Sequence, residues 1–285
     1  MISLYESIID QQSSDVEMVV VDDGSTDNTS KMISSWIKNN LVRINYIYQK
    51  NAGRAFALRK ALMEASGEFT VIMDDDDLFV PDAFALIRYN LEKLYKYRHQ
   101  LKELAGICGL CLNKEGGVIG DTFPQDEMVS SYYDIRFRRK ISGDKKEILS
   151  TNILKLNMYK TFDNERRVPT STLWYSVSQD YDMIFINEAF AIKHYLPMGM
   201  TDKNRALRIS SPNSHIQTAT IMVNTREHAS ILIRLNYSID IWRYYFWGGK
   251  FPHGQISGLR LFGVLLMLPF GLILNCIERL LHKFS

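Results

Sequence analysis

The sequence predicts an α/β fold, a doubly wound and mostly parallel sheet followed by a helical C-terminal segment. Three observations predict it. The first hundred residues alternate helix and strand with short connections, which is the pattern of a parallel sheet with helices on both faces. Two of the apolar strands run straight into carboxylates, "VVVDDGSTDNT" at Val19–Thr29 and "FTVIMDDDD" at Phe69–Asp77. With 285 residues, 46% of them apolar, the chain can bury the core of one large or two small domains.

The elements follow in order. "MISLYESIIDQQ" has helical spacing and acidic residues, so it reads as a helix from Leu4 to Gln11 rather than a secretory signal. The apolar run from Glu17 to Val21 is a strand, and Asp, Asn and Gly after it suit a turn and the cap of a helix from Thr29 to Lys38. A strand from Arg43 to Tyr48, a helix from Arg54 to Ala65, a strand from Phe69 to Met73 and a helix opened by Pro81 and running to Tyr95 complete the alternation. Beyond Leu104 the pattern loosens. It gives strands around "LAGICGLCL" and "GGVIG", a helix from about Lys145, another from about Thr170, a strand at "MIFINEA" and long helical material from Pro212.

In a doubly wound sheet, ligands bind at the carboxyl ends of the strands. Both acidic loops and "QKNAGRAFA" between them fall there. Four consecutive carboxylates, Asp74 to Asp77, repel one another and raise each other's pKa unless a cation or polar ligand compensates. A hard divalent cation suits such oxygens, whereas an EF-hand does not fit: counted from Asp74, its sixth and twelfth positions are Phe79 and Ala85, not Gly and Glu. In "NAGRA", Asn51 and Gly53 let the backbone approach a ligand closely, and the free N–H groups of the next helix start, with Arg54 beside them, favour a diphosphate. Gly53 as a simple helix cap is the alternative.

Other classes are set aside. The formal net charge is +2, and the basic residues between Arg136 and Arg167 lie in separate runs without the framing of a nucleic-acid module. Three cysteines are too few for a disulfide framework and point to a reducing compartment. Cys108 and Cys111 form a C-x-x-C, but within a strand positions three apart face opposite sides, so they read as core fillers rather than a zinc or redox pair. His194 reads as a hydrogen-bonded structural residue rather than a further metal ligand. Between Arg260 and Glu278 lie seventeen uncharged, mostly apolar residues interrupted by Pro269. As a helix they span about 25 Å, short of the roughly 30 Å hydrocarbon core, so with their aromatic and basic flanks they suit a membrane interface or, alternatively, a helix packed on the protein's own core.

"VVVDDGSTDNT", "NAGRAFALRKAL", "SGEF" and "MDDDD…PDAF", at these intervals, resemble the family 2 glycosyltransferases, a large inverting group with the Rossmann-like, nucleotide-binding GT-A fold. The resemblance implies that Asp23 binds the nucleotide base, that Asp74 and Asp75 serve the ribose and diphosphate, and that Asp76 holds Mg²⁺ or Mn²⁺. It implies a nucleotide-sugar-binding half at residues 1–100, an acceptor-binding half at 101–210, and C-terminal helices at 211–285 with a membrane-associating segment at 256–281. The sequence departs from the family twice. The usual first strand is absent, so the sheet should lack a central strand. Thr170 also stands where relatives carry an acidic base, which leaves Glu165 as the candidate base and Asp163 in reserve. The resulting expectation is an inverting transferase that moves a sugar from a nucleoside-diphosphate sugar to a glycan or lipid-linked acceptor in bacterial surface polysaccharide synthesis, at the cytoplasmic face of the inner membrane. Two alternatives stand beside it. One is a truncated, inactive member that only binds. The other is a sugar-nucleotide nucleotidyltransferase, which would need a Gly-rich basic loop near the N-terminus that the sequence lacks.

Overall fold

The computed structural model describes residues 1–97, 103–194, 208–225 and 230–283. The chain divides into two compact units. The first comprises Met1–Asn51, Ala57–Met158 and Asp180–Pro197; the second comprises Ala52–Phe56, Tyr159–Gln179 and Met198–Ser285.

The first unit opens with the alternation the sequence predicts, to which the structure adds the two-residue strand β4: α1 (Ile2–Ile9), β1 (Glu17–Asp22), α2 (Thr29–Asn39), β2 (Arg43–Tyr48), α3 (Arg54–Glu64, whose first turn belongs to the second unit), β3 (Phe69–Val71), β4 (Leu78–Phe79) and α4 (Ala83–Lys96). Helix spacing decides what is buried. Leu4, Tyr5 and Ile8 of α1 and Ile33 and Trp36 of α2 face one core, where the Tyr5 and Trp36 rings stack at 4.0 Å. Helix α2 stops where Asn40 takes the left-handed conformation, at φ 52°. Strands β1 and β2 pair in parallel, from Glu17 opposite Arg43 to Asp22 opposite Tyr48.

The rest of the unit holds β5 (Glu103–Leu112), β6 (Met128–Ser130), β7 (Lys145–Ser150), α5 (Thr151–Leu156) and β8 (Tyr181–Ile192). These strands form a second sheet in the order β3-β7-β5-β8-β4, with β6 also on β8. It corrects the expectation of a mostly parallel sheet. Only β5 and β8 are parallel; β3–β7, β5–β7, β4–β8 and β6–β8 are antiparallel. After Leu112 the connections to β6 and β7 contain no α-helix, and without helical crossovers nothing holds successive strands parallel. Two local expectations are also corrected. The stretch from Lys145 is strand β7, with the helix beginning only at Thr151, and "GGVIG" supplies a single bridge from Val118 to Leu112. The C-x-x-C reading agrees with the structure: Cys108 and Cys111 are fully buried in β5, and burial pushes the Cys111 thiol up to about 12.

Among the described residues the two sheets do not pair with each other. Strand β1 pairs only with β2, and β3 only with β7.

The second unit contains α6 (Ser171–Val177), α7 (Pro212–Asn224), α8 (Ile231–Tyr245), α9 (Gly258–Leu266) and α10 (Leu268–Lys283). Its core gathers Ala219 and Val223 of α7, Ile241 and Trp242 of α8, Ile256 and Val264, with the Trp242 Nε1–H donating to the Val264 carbonyl. Helices α9 and α10 meet at a 44° bend at Met267. Pro269 sits in the first turn of α10, where its missing N–H costs nothing, so it starts a new helix instead of breaking an old one.

Candidate functional site

In the first unit, the loop after β1 is built on Asp22. This carboxylate is buried and accepts hydrogen bonds from the Tyr46 hydroxyl (2.7 Å) and the Ser25 N–H (2.7 Å). Burial works against its charge, but those bonds outweigh burial and hold the carboxyl below its usual range. Asp22 is therefore the anchor of the loop, a role the sequence did not separate from that of its neighbour. Asp23 is half-buried and accepts from Gln49 Nε2 at 2.7 Å, while the Gln49 N–H donates to the Asp22 carbonyl. Gly24, at φ 82°, comes so close to Asn51 that a Cβ would lie 2.8 Å from its backbone nitrogen. Asp23 and Asn51 thus belong to one packed corner.

The run after β3 is sorted by burial. Asp77 is buried, Asp74 and Asp76 are half-buried and Asp75 is exposed. The compensating cation that four carboxylates require is internal. Lys193, at the end of β8, places its ammonium 3.1 Å from Asp77, 3.3 Å from Asp74 and 3.5 Å from Asp144. Lys146 of β7 lies 3.6 Å from Asp77 and donates to the Ile72 carbonyl. Burial alone would lower the Lys193 pKa, and the surrounding carboxylates, Asp77 first, more than offset it and push it up. Neither lysine was singled out from sequence. The available signal was a lysine set directly against apolar strand residues, in "DKKEIL" and "FAIKH".

Among the described residues no three His, Cys, Asp or Glu side chains converge as a metal cage. That donor set still fits Mg²⁺ or Mn²⁺ beside a diphosphate, because such ions are commonly held by one or two carboxylates with phosphate and water completing the shell. Asp75 and Asp76 are hard donors outside the Lys193 contacts, and Asp76 is the residue that would hold the ion.

In the second unit, Gly53 sits at φ 99°, and a Cβ there would lie 2.6 Å from the Arg166 carbonyl oxygen, so this position requires glycine for both conformation and space. Arg54 donates from Nη1 to the Thr170 hydroxyl at 2.7 Å. The guanidinium expected on a diphosphate is thus also bonded to the residue that stands in place of the family's acid.

Glu165 is corrected as a base. It is buried, and its carboxylate accepts four hydrogen bonds from the start of α7: Asn213 N–H (2.8 Å) and Nδ2 (2.7 Å) on one oxygen, Ser214 N–H (2.7 Å) and Oγ (2.6 Å) on the other. A carboxylate has about four lone-pair sites, and all are occupied, which leaves none for an acceptor's proton. Asp163, two residues away, is exposed. His194 follows β8 directly after Lys193 and is half-buried.

The chain is similar to known proteins in sequence and in fold. Residues 2–96 match the family model described as glycosyl transferase family 2. An uncharacterized glycosyltransferase of Rickettsia felis is 30% identical over 127 residues, 44% of this chain and 21% of that protein. The GalNAc(5)-diNAcBac-PP-undecaprenol beta-1,3-glucosyltransferase of Campylobacter jejuni is 27% identical over 194 residues, 66% of this chain and 58% of that protein. The chain therefore spans about a fifth of one relative and somewhat over half of the other. Among solved structures, S. aureus TarS 1–349 superposes with a TM-score of 0.59 at 16% identity, covering 86% of this chain and 67% of that one, and is also known with UDP-GlcNAc. The mannosyltransferase PcManGT from Pyrobaculum calidifontis, solved with GDP-Man and Mn²⁺, gives 0.52 at 18% identity, covering 98% of this chain and 82% of that one. These likenesses establish a GT-A-like α/β fold.

Proposed function

We propose, from the match of residues 2–96 to the model of glycosyl transferase family 2, that the chain transfers a sugar, with inversion, from a nucleoside-diphosphate sugar to a hydroxyl of a glycan or lipid-linked acceptor. The observation that carries this reading is the sorting of the Asp74–Asp77 run. Lys193 and Lys146 neutralise Asp74 and Asp77, and Asp75 and Asp76 lie outside those ion pairs. In this reading Asp23 binds the base, Asp74 and Asp75 the ribose and diphosphate, and Asn51, Gly53 and Arg54 the phosphate oxygens. A divalent ion on Asp76 would neutralise charge on the departing diphosphate. The acceptor oxygen attacks the anomeric carbon on the face opposite the diphosphate, the bond to the diphosphate oxygen breaks, and a carboxylate takes the hydroxyl proton. With Glu165 committed to α7, that base is Asp163, the exposed carboxylate of the same loop. The choice of donor draws on TarS with UDP-GlcNAc and PcManGT with GDP-Man and Mn²⁺, and the choice of acceptor on the undecaprenol-linked substrate in the name of the C. jejuni relative.

The second unit suits a lipid-linked acceptor. Helix α10 turns its polar groups inward: Glu278 pairs with Arg243, Trp247 Nε1–H donates to Glu278, and the buried Asn275 donates to the Arg243 carbonyl. Its apolar groups face outward, with Phe270 53%, Ile273 55% and Leu280 59% exposed, and α9 adds Leu259 and Phe262. A contiguous apolar face of this kind marks an interaction surface. No single described helix is long and apolar enough to cross a membrane, and the bent pair α9–α10 suits the interface of the cytoplasmic leaflet.

Calorimetry tests the proposal. UDP or GDP should bind with Mn²⁺ present and at least tenfold more weakly without it, and Asp76→Ala should abolish that difference. Equal affinity with and without metal would overturn the reading.

A further inference from the structure

Asp144, just before β7, is a carboxylate that the proposed transfer leaves without a task, and it lies 3.5 Å from the Lys193 ammonium. The same ammonium lies 3.1 Å from Asp77 and 3.3 Å from Asp74, so three carboxylates from two loops converge on one cation. That cation is fixed in place. The Lys193 N–H donates to the Leu112 carbonyl at 2.8 Å, which ties the residue to the end of β5, and its side chain is only 15% exposed. Asp77 is buried more deeply still, and among the described residues its Oδ2 accepts no hydrogen bond. Its charge is met across ion pairs instead, by Lys193 and, at 3.6 Å, by Lys146. A carboxylate buried in this way needs a cation whether or not a ligand is bound.

We propose that Lys193 is a specificity-determining residue for the metal of the proposed reaction: its ammonium holds the place of an inner cation among Asp74, Asp77 and Asp144, and so confines a divalent ion to Asp75 and Asp76. That role rests on the proposed transfer, which sets the ion beside the diphosphate. Distance separates the two kinds of cation. Oxygens 3.1–3.5 Å from the Lys193 nitrogen suit an ammonium, whereas a divalent ion draws its oxygens in to about 2.0–2.6 Å. The inner carboxylates stand apart at ammonium spacing, and accordingly no three such groups among the described residues converge as a metal cage. Charge acts in the same direction, because an ion entering the inner place would meet two ammoniums, those of Lys193 and Lys146. Asp75, exposed, and Asp76, half-buried, lie outside these ion pairs. Two carboxylates hold a divalent ion weakly until phosphate and water complete its shell.

Titration of the full chain with Mn²⁺ in the absence of nucleotide, followed by the paramagnetic resonance of the free ion, tests this without any sugar transfer. Lys193→Met keeps the reach of the side chain and removes its charge. This variant should bind Mn²⁺ at least tenfold more tightly than wild type, Lys193→Arg should stay close to wild type, and Asp144→Ala added to Lys193→Met should reverse the gain. Equal affinity of wild type and Lys193→Met would overturn the proposal. So would the same gain in Lys193→Arg, or a gain that survives Asp144→Ala. If Lys193→Met is unfolded in metal-free buffer, thermal unfolding carries the test: Mn²⁺ should restore the variant's transition while leaving that of wild type nearly unchanged, and no recovery with Mn²⁺ would equally overturn the proposal. Failure of the proposed transfer is read separately. Wild type that binds UDP and GDP equally with and without Mn²⁺ removes that reading, while a Mn²⁺ gain confined to Lys193→Met still supports Lys193 as the inner cation.

Discussion

At the scale of single residues, Glu165 and Asp163 stand in one loop sequence, "FDNERRVPT", that does not tell them apart. The two carboxylates are separated only by what they meet in the fold. Glu165 meets the first turn of α7, 48 residues along the chain, where N–H groups have no partner within the helix. No local pattern announces that pairing, because helix capping is normally read from residues adjacent to the helix and this cap arrives from a distant loop. The family acid was legible only as an absence, Thr170, and the structure shows what the threonine does instead, accepting from Arg54. Two substitutions separate the roles. Glu165→Ala strands several buried donors at about 1–3 kcal/mol each and should lower the unfolding midpoint markedly. Asp163→Asn touches an exposed group and should leave that midpoint unchanged while reducing sugar transfer by about 10²–10⁴-fold, the usual worth of a general base. Thermal unfolding with a transfer assay checks both, and an Asp163→Asn variant of full activity would remove Asp163 from the mechanism.

At the scale of elements, the α1-to-α4 half was legible, apart from the two-residue β4, because its longer strands are short apolar runs and α1, α2 and α4 each carry an apolar stripe. Strand β7 was not. "KKE" opens it, three charged residues that favour an exposed helix, and yet Lys145, Lys146 and Glu147 are all buried. Position in the sheet overrides propensity, since β7 lies between β3 and β5 and must be covered. The lysines reach carbonyls: Lys145 donates to those of Ile119 and Ser142, Lys146 to that of Ile72. Glu147 has no such outlet. Burial raises its pKa to about 7 against the pull of Arg136 and Lys146, from an ordinary value of 4.5. The sign follows from which state holds the proton. Below pH 4.5 both folded and unfolded chains are protonated at this site and it contributes no penalty. Between 4.5 and 7 the unfolded chain ionises and the folded one does not, so stability falls as pH rises, and above 7 the loss is constant. Glu147→Gln keeps the shape and removes the titration. The stability difference, variant minus wild type, should therefore grow from pH 4.5 to pH 7 by on the order of 3 kcal/mol and then level off, measured by urea unfolding at fixed ionic strength. A difference that stays flat across that range would mean that Glu147 ionises normally in the folded chain.

At the scale of the whole molecule, the question is what covers the apolar surface of the C-terminal helices. The sequence supplied the length and composition of the segment and left two readings open, a membrane interface and a helix packed on the protein's own core. In the structure α10 is docked through Glu278 and Asn275 on α8, while Phe270, Ile273 and Ile277 remain outside. Periodicity could not show this, because an apolar run of this density has no clear polar face until the partner helix fixes which side is inner. Each exposed side chain that enters the acyl region is worth about 1.5–3 kcal/mol, so three or four suffice for firm interfacial binding without a span. Removing the segment would also open the core around Val264, so point substitutions are the cleaner test. Phe262→Glu with Phe270→Glu and Ile273→Glu changes only exposed positions and should leave thermal unfolding in detergent within a few degrees of wild type. Vesicles of mixed anionic and neutral lipid should co-float with the wild-type chain and lose the triple variant by at least tenfold. If lipid-linked acceptors are used at the surface, transfer to them should fall with that binding while transfer to a soluble acceptor stays unchanged. Equal flotation of the two proteins would show that this face is covered by protein instead of lipid.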